Sequence, residues 1–200
     1  MDLSQQLRRA EQHLRDVDPA MRSLIPEAGP CRLDETVRRH AFPALVRTII
    51  SQQISVQAAA TIERRVKRLF GGRPPSARRL STMDEDTLRA AGLSRQKAAY
   101  LKDLAARVCD RRLNLAALER MSDEEVLSTL TAVKGIGRWT AEIFMMFRLG
   151  RLDLLPVDDV GLLQGAASLY ELPERPDAER LLDLGEPWRP YRTVGSWYLW

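Results

Sequence analysis

The chain has 200 residues, enough for one large or two small helical domains with a real core; 44% are hydrophobic and 29% charged, as in ordinary folded domains. A formal net charge of +4 and a pI of about 9.4 suit a polyanionic partner. Cys31 and Cys109 form no CxxC and no metal-ligand spacing, which argues against a disulfide scaffold, a zinc site or a four-cysteine iron–sulfur cluster.

Residues 3 to 16 read as an amphipathic, charged helix with Leu3, Leu7, Ala10 and Leu14 on one face. Asp18-Pro19 breaks it, an apolar segment runs to Ile25, and Pro26, Gly29 and Pro30 mark a loop. Phe42-Pro43 starts a helix through Leu45, Val46, Ile49 and Ile50 that reaches Ser51-Gln52-Gln53-Ile54-Ser55. Ser55 is placed to cap the next helix, which carries Ala59, Ile62, Val66 and Leu69 and is ended by Gly71-Gly72-Arg73-Pro74-Pro75. Three short helices are expected over 76–110: one from Ser76 to Leu80, one opened by the capping-box pair Thr82 and Glu85 and closed by Gly92, and one opened by Ser94. Another covers Leu115 to Arg120.

Ser122 and Glu125 again have capping-box spacing, ahead of Val126, Leu127 and Leu130. Lys134-Gly135-Ile136-Gly137-Arg138 then joins this helix to one in which Trp139, Ile143 and Met146 recur at helical spacing. Two glycines one residue apart permit a tight hairpin with positive φ angles, and the apolar Ile136 between them is expected to plug inward. Amides at the second helix's start attract a phosphate, and Lys134 and Arg138 add positive charge. The stretch reads as a helix–hairpin–helix that grips a nucleic-acid backbone without reading sequence; the plainer reading is an αα-corner closed by glycines.

Past Gly150, Leu154-Leu155-Pro156-Val157-Asp158-Asp159 leads into a helix with Val160, Leu162, Leu163, Ala166 and Leu169. Pro173 and Pro176 break the chain, a helix spans Ala178 to Leu184, and an apolar helical pattern runs from Val194 to Trp200. No run of alternating β-branched residues interrupts this series. The expected fold is all-α, with two helical lobes around a cleft: residues 1–40 plus 150–200, and residues 41–149 ending in the helix–hairpin–helix of 122–149.

There is no Walker loop, GxSxG or HExxH. The candidate chemical group is Asp159, preceded by Asp158, at a helix start; the plainer reading is a cap. A helix start stabilises carboxylate charge, and a carboxylate in an aromatic-lined cleft can stabilise an oxocarbenium-like sugar cation and orient a water. Trp139, Trp188, Trp197 and Trp200 serve either as core or as platforms on which a flipped base stacks.

Gly-Ile-Gly-Arg-Trp-Thr-Ala (135–141) followed by Pro-Val-Asp-Asp (156–159) resembles the helix–hairpin–helix, Gly/Pro-rich, Asp (HhH-GPD) DNA glycosylases. Val46 to Ser55 is similar to that family's DNA-inserting segment, and Trp188 to Trp200 resembles the C-terminus of its alkylation-repair, 3-methyladenine DNA glycosylase II (AlkA-type) branch. The resemblance covers roughly residues 40 to 200. It implies a compact, helical-only version without the N-terminal β-domain of larger relatives. It implies Asp159 as the catalytic carboxylate, Trp139, Ile143 and Trp200 around the base pocket, and Gln53, with Gln52, as the wedge in the duplex. Lys134, Gly135, Gly137 and Arg138 are implied to hold a phosphate, with a monovalent cation at the 133–137 hairpin backbone as a candidate. Neither an iron–sulfur cluster nor zinc is expected.

Bifunctional relatives carry a Schiff-base lysine at the place of Trp139, so the implied activity is monofunctional. It is hydrolysis of the N-glycosidic bond of alkylated purines such as 3-methyladenine or 7-methylguanine, flipped from double-stranded DNA, leaving an abasic site. The wedge departs from the best-known relatives, which carry an apolar residue at Gln53. A cytoplasmic monomer is expected. The alternatives are a non-catalytic DNA-binding module and a glycosylase for mismatched or oxidised bases.

Overall fold

The computed structural model describes residues 2–37 and 40–200, and among these every regular element is helical. In chain order the α-helices are α1 (Leu3–Val17), α2 (Pro19–Ala28), α3 (Asp34–Val37), α4 (Ala41–Ser51), α5 (Val56–Leu69), α6 (Ala77–Thr82), α7 (Glu85–Ala90), α8 (Arg95–Cys109), α9 (Asp123–Thr131), α10 (Arg138–Phe144), α11 (Val160–Leu169), α12 (Ala178–Gly185) and α13 (Arg192–Leu199). Short 3₁₀ turns cover Leu118–Arg120 and Glu186–Trp188, and a π-helical stretch covers Met145–Leu149. The all-α expectation holds. The chain divides into two compact units, Met1–Arg38 with Met145–Trp200, and Arg39–Phe144. The sequence expectation had put 145–149 in the second of these.

The first unit is discontinuous in sequence, so the two ends of the chain must meet to build it. Its core gathers Leu7, Leu14, Met21, Ile25, Leu33, Leu162, Leu181, Trp188 and Val194. Asp18 ties the ends together. It ends α1 and caps α2, its Oδ1 accepting the Ala20 and Met21 amides, while its Oδ2 accepts the Tyr170 hydroxyl and, at 2.8 Å, Trp188 Nε1. Both carboxylate oxygens are therefore occupied, which is what burial of an acid requires. The segment after Asp18 is thus a true helix: Pro26 lies within it, and the loop begins only at Gly29.

In the second unit α8 packs against α4, α6 and α7, and α10 packs against α4 and α9. Ser55 caps α5 and Ser94 caps α8, as their spacing predicts. The expected cap pair Thr82 and Glu85 is not used. Thr82 is the last residue of α6, and Asp84 caps α7 instead, accepting the Thr87 amide at 2.7 Å and its hydroxyl at 2.6 Å. The helix expected from Leu115 shrinks to a turn capped by Asn114 and the 3₁₀ residues Leu118–Arg120.

Candidate nucleic-acid interface and acid–indole site

The hairpin lies within the second unit. Ser122 and Glu125 form the reciprocal capping box that starts α9. After α9 the chain turns through residues 132–137 into α10. Ile136 is buried at 3% exposure and plugs inward as its position implied. The two glycines differ. Gly135 has φ +80°, and a Cβ there would fall 2.0 Å from the Tyr100 ring, so both its backbone and its surroundings demand glycine. Gly137 does not take a positive φ and has open space around it.

Lys134, Gly137 and Arg138 are exposed around the turn. Asp103, from α8, accepts the Lys134 amide at 3.0 Å and pairs with Arg107 at 2.8 Å. Burial pushes the Asp103 carboxyl up, but the Lys134 N–H and the Arg107 guanidinium outweigh it and hold the group below its usual value. Arg138 pairs with the buried Glu142 at 2.8 Å, a turn further along α10, which aims its guanidinium without covering it. Such a rim, with backbone amides and two exposed cations at a helix start, suits a phosphate. Val133 O accepts the Ile136 amide and Gly135 O accepts the Gln52 amide; a second lone pair on each suits a monovalent cation.

The two glutamines separate. Gln53 is exposed with φ 55°, whereas Gln52 is turned in, its Nε2 donating to Gly135 O at 2.8 Å and Thr140 Oγ1 at 3.1 Å. Gln52 thus ties the turn after α4 to the hairpin and to α10. Ile54 and Val56, just after Gln53 in the chain, are also exposed. Trp139 and Ile143 are half-buried on α10 of this unit.

The acid lies in the first unit. Asp159 caps α11, its Oδ1 accepting the Leu162 amide at 2.7 Å and the Trp200 indole N–H at 2.9 Å. It is thus a cap, and also a carboxylate whose direction is fixed by two donors. Asp158 beside it is exposed. Two glycines of α11 make the pair fit. A Cβ on Gly161 would lie 3.1 Å from Asp159 Oδ1 and 3.3 Å from the Trp200 ring, and one on Gly165 would run into Leu199 O at 1.9 Å, so α11 and the end of α13 approach backbone to backbone.

Trp200, 45% exposed, also lines an open groove of about 480 Å³ with Ala28, Phe147, Trp197 and Tyr198. The Phe147 and Trp200 ring centroids are 5.6 Å apart. Phe147 was not legible as a site residue, because it sits in the π-helical stretch, where one extra residue per turn moves side chains off the 3.6-residue register. Among the described residues no group of three or more His, Cys, Asp or Glu side chains is placed to hold a metal ion.

A tight glycine hairpin between two helices, and an indole-bound acid at a helix start beside an aromatic groove, define a helix–hairpin–helix protein built for nucleic acid. The chain matches the HhH-GPD superfamily base excision DNA repair proteins over residues 46–190. It is 34% identical to DNA-3-methyladenine glycosylase 1 of Schizosaccharomyces pombe, over 97% of this chain and 86% of the relative, and 32% identical to the alkylbase DNA glycosidase-like protein mag2 of the same organism, over 96% and 92%. The solved complex of the S. pombe 3-methyladenine DNA glycosylase Mag1 with abasic DNA superposes with a TM-score of 0.83 at 33% identity, covering 96% of this chain and 95% of that one. A Bacillus halodurans DNA-3-methyladenine glycosidase structure is 42% identical, with a TM-score of 0.79 over 92% and 83%. The chain belongs to the HhH-GPD superfamily of base excision DNA repair proteins.

Proposed function

We propose that this protein is a monofunctional DNA glycosylase that releases alkylated purines of the 3-methyladenine and 7-methylguanine type from double-stranded DNA, acting as a monomer and leaving an abasic site. The observation that carries the reading is the Asp159–Trp200 pair, with the same indole forming one wall of the aromatic groove. Names of relatives spanning nearly the whole chain point the same way.

The chemistry follows from the substrate's charge. A methylated purine bears a positive charge, so it stacks well on electron-rich aromatic faces and leaves readily as a neutral base. As the C1′–N bond breaks, its electron pair goes to the base and a positive charge develops on the sugar. The Asp159 carboxylate, held by two N–H donors, faces that charge and orients the water that adds to C1′ and loses a proton. The hairpin of Lys134, Gly135, Gly137 and Arg138 grips a phosphate of the damaged strand, and the backbone carbonyls of 133–137 would hold a monovalent cation that adds positive charge beside it. Gln53 fills the space the base vacates, which offsets part of the few kcal/mol that flipping costs. Trp139 stands where a lyase needs its lysine and cannot form a Schiff base.

The test is a panel of duplexes, each with one lesion, scored for free base and for strand breakage. The reading expects 3-methyladenine and 7-methylguanine to be released with the strand left intact. Release confined to oxidised or mismatched bases, or strand cleavage without heat or alkali, contradicts it.

A further inference from the structure

The wedge side chain stands on a turn that two other side chains hold in place. Gln53 has φ 55°, in the left-handed region that residues other than glycine occupy only when their surroundings fix them. Beneath it, Lys97 donates to Ile50 O and to Gln52 O, both at 2.7 Å. Ile50 belongs to the last turn of α4, whose carbonyls lack intrahelical partners, so the ammonium closes the end of α4. Lys97 does this from the first turn of α8, where the helix dipole disfavours a cation, and its partial burial lowers the amine below its usual value. The carbonyl contacts are what the lysine gains in that place. On the other side, the Gln52 amide bridges Gly135 O and Thr140 Oγ1. The residue before the wedge is thereby fastened to the phosphate-gripping hairpin, inside one compact unit.

We propose that Lys97 and Gln52 are positioning residues that preorganise Gln53 for insertion and set its distance from the gripped phosphate, so that the turn is already ordered when the base leaves the stack. The proposal rests on the reading of Gln53 as the wedge. It assigns Gln52 a role opposite to insertion: its side chain stays with the protein while its neighbour enters the duplex.

The test measures the affinity of the full chain for a duplex containing one abasic site and for the same duplex intact, and takes the ratio. Lys97→Met and Gln52→Leu each lower the ratio roughly tenfold, the loss expected of a charge-assisted or doubly bonded contact. Lys97→Arg, which keeps a charged donor, restores most of it, and Lys97→Gln, a gentler change that reaches one carbonyl at most, falls between. Adding Gln53→Ala to Lys97→Met lowers the ratio no further than Gln53→Ala alone, because the lysine acts through the wedge. If Lys97→Met and Lys97→Gln lower the melting temperature and weaken both duplexes equally, the lysine is only structural and the proposal is overturned. If Gln53→Ala itself leaves the ratio unchanged, the wedge reading fails and the brace falls with it. If Gln53→Ala lowers the ratio while folded Lys97 and Gln52 variants keep the wild-type value, the brace alone fails.

Discussion

Gly135 and Gly137 look equivalent in the sequence and are not equivalent in the structure. Gly135 combines a positive φ with a side chain of α8 lying where its Cβ would be. Gly135→Ala must therefore strain the backbone and displace Tyr100, and is expected to destabilise the chain by roughly 2–4 kcal/mol. Gly137→Ala meets neither obstacle and should stay within about 1 kcal/mol of wild type. Urea denaturation of the two variants side by side checks the contrast; equal losses would mean that the turn is shaped otherwise. Gln52 and Gln53 carry the same lesson. Their side chains are chemically identical, yet Gln52 bonds the hairpin while Gln53, on a left-handed backbone, is exposed.

Between elements, the hairpin is fastened to α8 through Asp103, which accepts the Lys134 amide and pairs with Arg107. Because folding lowers the Asp103 carboxyl from its usual 3.8, its contribution is complete above that value and is lost as pH falls through the lower folded value. Asp103→Asn should cost about 1 kcal/mol near neutrality, since both partners are largely shielded from solvent. The gap to wild type should close as pH drops below 3.8, read from denaturation curves over that range. A gap that stays constant into acid would show that the carboxylate charge contributes nothing.

What was legible in the sequence was mostly local. The Ser122–Glu125 box, the Ser55 and Ser94 caps and the buried Ile136 depend on residues three or four apart. Thr82 misled because Asp84, two residues on, is the stronger cap and wins the same helix start. The Tyr100 demand on Gly135, the Gly161 gap that admits Trp200, and Phe147 on its π-helical turn all depend on partners distant in sequence or on a change of helical register. Asp159 and Trp200 could each be named from the resemblance, but the hydrogen bond that joins them across forty-one residues could not.

At the scale of the whole chain, the implied functions fall on different units. The proposed phosphate grip and wedge belong to the continuous unit, and the acid–indole pair belongs to the unit assembled from both chain ends. Binding and chemistry should therefore separate in mutants. For binding, neutral replacements are the cleaner choice, because Glu142 lies 2.8 Å from Arg138 and a glutamate at 138 would repel it. Lys134→Gln with Arg138→Gln should weaken binding to all duplex sequences alike and reduce the slope of log affinity against log salt by about 1–2. A loss confined to particular sequences would contradict a backbone grip.

For the chemistry, Asp159→Asn keeps a side chain that can still accept from Leu162 and Trp200 while removing the negative charge. The most direct measurement is single-turnover release of methylated purines by this variant, alongside its affinity for abasic duplex. Release falling at least about a thousandfold with affinity preserved is the expected result; release at the wild-type rate would mean that Asp159 is a helix cap and nothing more.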